Sequence, residues 1–184
     1  MHHYIAFLRG MNLGNRRIKM DQLRKLFVAL GFSDVATFIA SGNVVFSCSS
    51  SDTGKLESRI AQHLEHALGY RVDTFVRTRE QLAGISLHRP FPRHELNDPR
   101  NSLHVGFLAQ TLGATQRKLL TACRTAVDEF HVKGREFYWL CRIQINESKV
   151  WTSPSMKLVR LPSTSMRNVT TIRKMAALYP TVRV

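Results

Sequence analysis

The sequence predicts an α+β protein, a ferredoxin-like βαββαβ N-terminal lobe followed by a second, degenerate α/β lobe. Three observations lead there. Short β-rich apolar runs alternate with segments of helical period in the order β-α-β-β-α-β over residues 4 to 77, the order of a split βαβ unit. A turn-prone stretch, His88-Arg89-Pro90-Phe91-Pro92 with Asn97-Asp98 and Pro99-Arg100, then interrupts the pattern. Beyond it the same grammar restarts at Leu103. The implied organisation is a lobe over 1–78, a linker with a short helix over 79–101, and a second lobe over 102–184 that ends in a basic segment.

Tyr4 to Leu8 is β-rich and apolar and reads as the first strand. Met20, Leu23, Leu26, Phe27 and Leu30 follow at helical spacing, with Gly31 as the stop. Val35 to Ile39 and Val44 to Phe46 flank Ser41-Gly42-Asn43 and read as a hairpin, because Gly42 and Asn43 tolerate positive φ. Ser51 or Asp52 can cap a helix whose Leu56, Ile60, Leu64 and Leu68 share one face, closed by Gly69. Val72 to Val76 is the fourth strand, and Glu80 to Ile85 a short helix.

In the second half, Leu103 to Leu108 is a strand and Thr115 a candidate cap for a helix carrying Leu119, Cys123 and Val127. Phe130 to Val132 and Phe137 to Leu140 flank Lys133-Gly134-Arg135 as a second hairpin. A helix near Pro154 to Leu161 and a strand near Thr164 to Arg167 complete the repeat. The closing helix takes Thr170 or Thr171 as its cap, presents Ile172, Met175, Ala176 and Tyr179 on one face, and stops before Pro180.

Composition narrows the class. The chain has 184 residues, 43% hydrophobic and 22% charged, in the range of globular domains and away from disordered or fibrous ones. No apolar run approaches the roughly 20 residues that span a bilayer, and the start lacks a basic region followed by a long apolar one, so cytoplasmic residence without a membrane is the default expectation. Cys48, Cys123 and Cys141 are odd in number and widely spaced, which fits buried thiols better than a disulfide framework or a metal motif. His63 and His66 lack a third ligand nearby, and Gly10-x3-Gly14 fits neither a phosphate-loop nor a dinucleotide pattern, so neither metal nor cofactor is expected.

Charge is the outlier. There are 27 Lys and Arg against 13 Asp and Glu, a net of +14. From Arg142 onward stand eight basic residues and one acidic, half of that total. Such a field attracts nucleic acid or anionic metabolites, or else it is a solvated basic surface with no dedicated partner.

Three clusters are candidates for an anion. Arg9, Asn12, Gly14 and Lys19 surround the turn after the first strand, where backbone N–H groups and cations could face a phosphate or carboxylate. Ser41, Gly42 and Asn43 form the hairpin turn, which could rim the same site or serve the hairpin alone. Arg167, Asn168 and Lys174 stand at the entry to the final helix, whose positive end favours anions. Three functions fit: recognition of nucleic acid or a phosphorylated ligand, a small-molecule enzyme in which Ser41 or His88 moves a proton, or an interaction module.

These clusters, in this order, resemble the bacterial family known as domain of unknown function 1697. Its LRG-(I/M)-N-(V/L)-G pattern is similar to Leu8-Arg9-Gly10-Met11-Asn12-Leu13-Gly14 leading to Lys19-Met20, and its SGNVVF signature to Ser41 through Phe46. Phe75-Val76-Arg77-Thr78, Pro90-Phe91, Leu103 to Leu108 and Lys133-Gly134-Arg135-Glu136 align in the same order. The family's TTRNWNTV-x-KL segment reads here Ser165-Met166-Arg167-Asn168-Val169-Thr170-Thr171-Ile172-Arg173-Lys174-Met175, which keeps the Arg-Asn pair and the Lys and loses the aromatic. The resemblance implies a two-part α/β fold with a ferredoxin-like first portion, and no settled activity.

Overall fold

A computed structural model describes residues 1–11, 17–39 and 42–181. They divide into two compact units, one comprising Met1–Ile85 and the chain from Lys174 onward, the other Ser86–Arg173.

The first unit contains β1 (His2–Arg9), α1 (Met20–Ala29), β2 (Ser33–Thr37), β3 (Asn43–Cys48), α2 (Thr53–Leu68), β4 (Asp73–Thr78) and α3 (Arg79–Leu87). The strands form one antiparallel sheet in the order β2-β3-β1-β4. Alternation along β1 sends Tyr4, Ala6 and Leu8 to the helix-covered face, where they meet Leu23 and Phe27 of α1 and Leu56, Ile60 and Leu64 of α2. Phe32 stacks on Phe46 with ring centroids 4.5 Å apart, and Phe27 meets the same ring edge-on. The Asp52 side chain accepts the Lys55 N–H at 3.0 Å and starts α2.

The second unit holds α4 (Arg93–Leu96), β5 (Ser102–Phe107), α5 (Ala114–Ala122), β6 (Asp128–Lys133), β7 (Glu136–Cys141), a 3-10 turn Val150–Thr152, α6 (Pro154–Val159) and β8 (Ser165–Asn168), and α7 (Val169–Leu178) begins in it. Its sheet order, β6-β7-β5-β8, reproduces that of the first unit strand for strand. The register agrees too: Ile5 lies between Val45 and Arg77, and Val105 between Tyr138 and Arg167. The repeat is therefore structural even though the halves share little sequence. Its core gathers Leu120, Phe130, Phe137, Trp139, Met156 and Val159, with Trp151 edge-on to Trp139 at 5.2 Å.

Two caps differ from expectation. Gly113, not Thr115, occupies the N-cap of α5, so Thr115 lies inside the helix. At α7 the Asn168 side chain accepts the Thr170 N–H at 2.8 Å, which moves the capping role from Thr170 or Thr171 to the last residue of β8. Ser153 caps α6 as its oxygen accepts the Met156 N–H, with Pro154 in the first turn. All three cysteines are buried and unbridged, and burial raises the Cys123 and Cys141 thiols, which keeps them protonated and unreactive.

Candidate anion-binding site

The end of β1 meets the described edge of the hairpin turn at Gly42. The Leu8 N–H donates to the Gly42 carbonyl at 2.8 Å, and Gly42, at φ +74°, holds a left-handed backbone that side chains disfavour, where a Cβ would also press on Leu8 at 3.2 Å. Tyr70 donates its hydroxyl to the Met11 carbonyl at 3.3 Å. Of the residues expected to act here, Asn12, Gly14 and Ser41 lie outside the described residues. Arg9 is half exposed and pairs with Asp73 at 3.5 Å, a carboxylate that also accepts from Arg71. Lys19 is exposed at the N-cap of α1. Asn43 is fully buried, and its amide donates to the Phe38 carbonyl at 3.1 Å while the Phe38 N–H returns to the Asn43 carbonyl. That pair closes the hairpin.

At the third cluster Arg167 runs back along its own strand and donates to Ser165 Oγ at 2.9 Å and the Met166 carbonyl at 2.8 Å. Burial pushes its guanidinium down to about 10, still protonated at neutral pH. Asn168 is engaged as the α7 cap. Lys174 is exposed.

A different set of cations converges on one cavity in the second unit. Pro90 and Pro92 restrict the backbone on both sides of Phe91, whose ring turns inward and is 8% exposed. Pro92 then opens the single turn of α4. This arrangement sets Arg89, Phe91, Arg93, Leu96 and Asn97, with Arg173 from α7, around a partly enclosed cavity of about 410 Å³. Arg89 donates to the carbonyls of Ser86 and His88, each at 3.1 Å. Arg173 Nε is buried with no hydrogen-bond partner, and burial, followed by the nearby Arg89 charge, lowers its guanidinium.

Among the described residues no carboxylate pairs with Arg89, Arg93 or Arg173. Several arginines elsewhere do have carboxylate partners: Arg142 pairs with Glu95 and Glu129, Arg77 with Glu57, and Arg100 with Asp98. The larger cleft of about 800 Å³ beside Asn101 and Gln144 contains Arg142 and is thus already compensated. Three like charges around one smaller cavity repel one another, and an anion relieves that cost. The sequence marked Arg89 only as part of a turn and Arg173 only as part of the basic tail. The motif Arg89-Pro-Phe-Pro-Arg93 was the available signal, since prolines that fix a loop also fix the cations beside it.

Next to the cavity segment, the His88 ring packs 4.8 Å from Tyr138 and 5.3 Å from His131, with Lys133 Nζ 3.4 Å from His88 Nδ1. Burial first, then Lys133, holds both histidines below their usual 6.5. His104, whose ring lies tilted 5.2 Å from that of Trp139, is lowered by burial. The unfolded chain therefore binds more protons than the folded chain in acid, so stability is fully present above pH 6.5 and falls as pH drops through that value toward the folded ones. Thermal melts from pH 7.5 to 5.5 are expected to show a falling Tm, and the slope should flatten in His88→Gln and His104→Gln. An unchanged slope in both variants would refute the assignment.

Among the described residues, no group of three or more His, Cys, Asp and Glu side chains could hold a metal ion, and no helix is long and apolar enough to cross a membrane. A family model described as a protein of unknown function, DUF1697, matches residues 1–138. A conserved bacterial protein from Streptococcus pneumoniae, SP0830, has a similar structure, with a TM-score of 0.73 and 19% identity over 98% of this chain and 99% of that one. At that identity the likeness is one of fold. No functionally curated protein matches the chain.

Proposed function

The chain belongs to the DUF1697 family of proteins of unknown function, and we propose that it recognises a small phosphorylated or carboxylated ligand in the Arg89–Arg93–Arg173 cavity. The observation that carries this reading is that three arginines, none paired with a carboxylate among the described residues, line one partly enclosed space, Arg173 with its Nε buried and unpartnered. Arginine forks match phosphate and carboxylate oxygens bidentately, and burial of Arg173 strengthens such contacts. In the same reading the exposed cations Arg9, Lys19 and Lys174 belong to the outer field that draws anions in, together with the net charge of +14. A nucleic-acid strand would depend on that outer field and be lost steeply with salt, whereas a ligand inside the cavity is screened less.

Titration calorimetry with inorganic phosphate tests the reading. The wild-type chain should bind at both low and high salt, and Arg173→Gln should weaken binding by about tenfold or more. The same substitution should leave Tm unchanged or raise it without phosphate, because it removes a desolvated cation that faces Arg89. A purely structural Arg173 would give the reverse, lower stability with binding unaffected.

A further inference from the structure

Resting on the anion site just proposed, we infer that its ligand is a phosphomonoester of a ring-bearing alcohol, with the phosphate on the arginines and the ring against Phe91 and Leu96. Size is the first argument. A phosphate displaces roughly two or three waters, at about 30 Å³ each, and so fills less than a quarter of the 410 Å³ cavity. The rest is too large to be only an anion hole and falls in the range of organic ligand sites.

The lining is the second argument. Phe91 is an aromatic face fixed between two prolines, and Leu96 is half-buried on α4 beside it. Phe91, at 8% exposure, presents only a small part of its ring to this space and Leu96 the larger share of its apolar lining; a ring on the ligand covers that surface while its phosphate neutralises the charge. Arginine also stacks on rings through its planar guanidinium, so the same three residues favour an aromatic or heteroaromatic group over an acyclic polyol. Asn97, exposed at the rim, offers one donor and one acceptor to a polar substituent.

Calorimetry of the full chain at high salt with inorganic phosphate, glycerol 3-phosphate and phenyl phosphate tests this. Phenyl phosphate is expected to bind at least about tenfold more tightly than either of the others, the gain that burial of one ring face supplies. Phe91→Ala should bring phenyl phosphate down to the level of glycerol 3-phosphate and leave phosphate binding unchanged. If circular dichroism shows Phe91→Ala to be unfolded, Leu96→Ser, on the one-turn α4, serves in its place. Equal affinities for all three probes would overturn the ring and leave the anion site standing. No binding of any probe, phosphate included, would overturn the anion site and this inference with it.

Discussion

Gly106→Ala is expected to destabilise the second unit by about 3 kcal/mol or more, an unusually large effect for one added methyl group. Gly106 lies directly opposite Phe137 in the pairing of β5 with β7, and a Cβ built on it would overlap the Phe137 ring. The ring is fully buried in the unit's core, 6.0 Å from the Trp151 ring, and in a close-packed core it gives way only at a cost. The first unit meets the same demand with other residues, since Ala6 stands opposite Val44 at the corresponding place in β1 and β3. Each repeat thus pairs small with large, and the sum is shared unequally. Gly106→Ala combined with Phe137→Val should therefore regain most of the loss, with a favourable coupling energy in urea unfolding. Strictly additive single-mutant effects would show that the ring and the glycine do not share one space.

This size exchange also explains how much of the fold could be read from the sequence. Strand period, helix period and stop residues are local, so β1, α1, α2 and the two hairpins appear where Leu8, Phe27, Gly31 and Gly42 suggest. The second repeat is less visible because its α6 is one and a half turns long and its residues compensate one another, as Gly106 and Phe137 do. The cap of α2 was legible to within one residue, Asp52 of the pair Ser51 and Asp52, whereas at α7 the hydroxyls of Thr170 and Thr171 drew attention from Asn168, which as the last residue of β8 sits over the first turn. The approach of Leu8 to Gly42 follows from the pairing of β1 with β3, which the strand order made legible. The arginine cavity was not, because Arg173 reaches it only through the packing of a helix far along the chain from Arg89 and Arg93.

Burial of charge was equally invisible, and it leads to the second large effect. Within Phe75-Val76-Arg77-Thr78 the arginine looks like an outward residue of a strand, yet it is 1% exposed. Its guanidinium donates to the Val76 carbonyl at 2.8 Å and lies 3.4 Å from Glu57 Oε1. The same Glu57 oxygen accepts the Val76 N–H at 2.8 Å, so one carboxylate from α2 satisfies both the cation and the outer edge of β4. Glu57→Ala takes the charge partner from a buried guanidinium and an acceptor from the Val76 N–H, which should cost about 3–5 kcal/mol. Glu57→Gln retains an acceptor for Val76 while removing the charge, and should cost distinctly less. Adding Arg77→Leu to Glu57→Ala should recover much of the loss, because burial of a cation whose carboxylate has been removed is the dominant penalty. Urea unfolding of these three variants and of Arg77→Leu alone separates these contributions: a Glu57→Gln as damaging as Glu57→Ala would make charge the whole effect, and a double variant worse than either Glu57→Ala or Arg77→Leu would show that the pair is worth more than an apolar substitute.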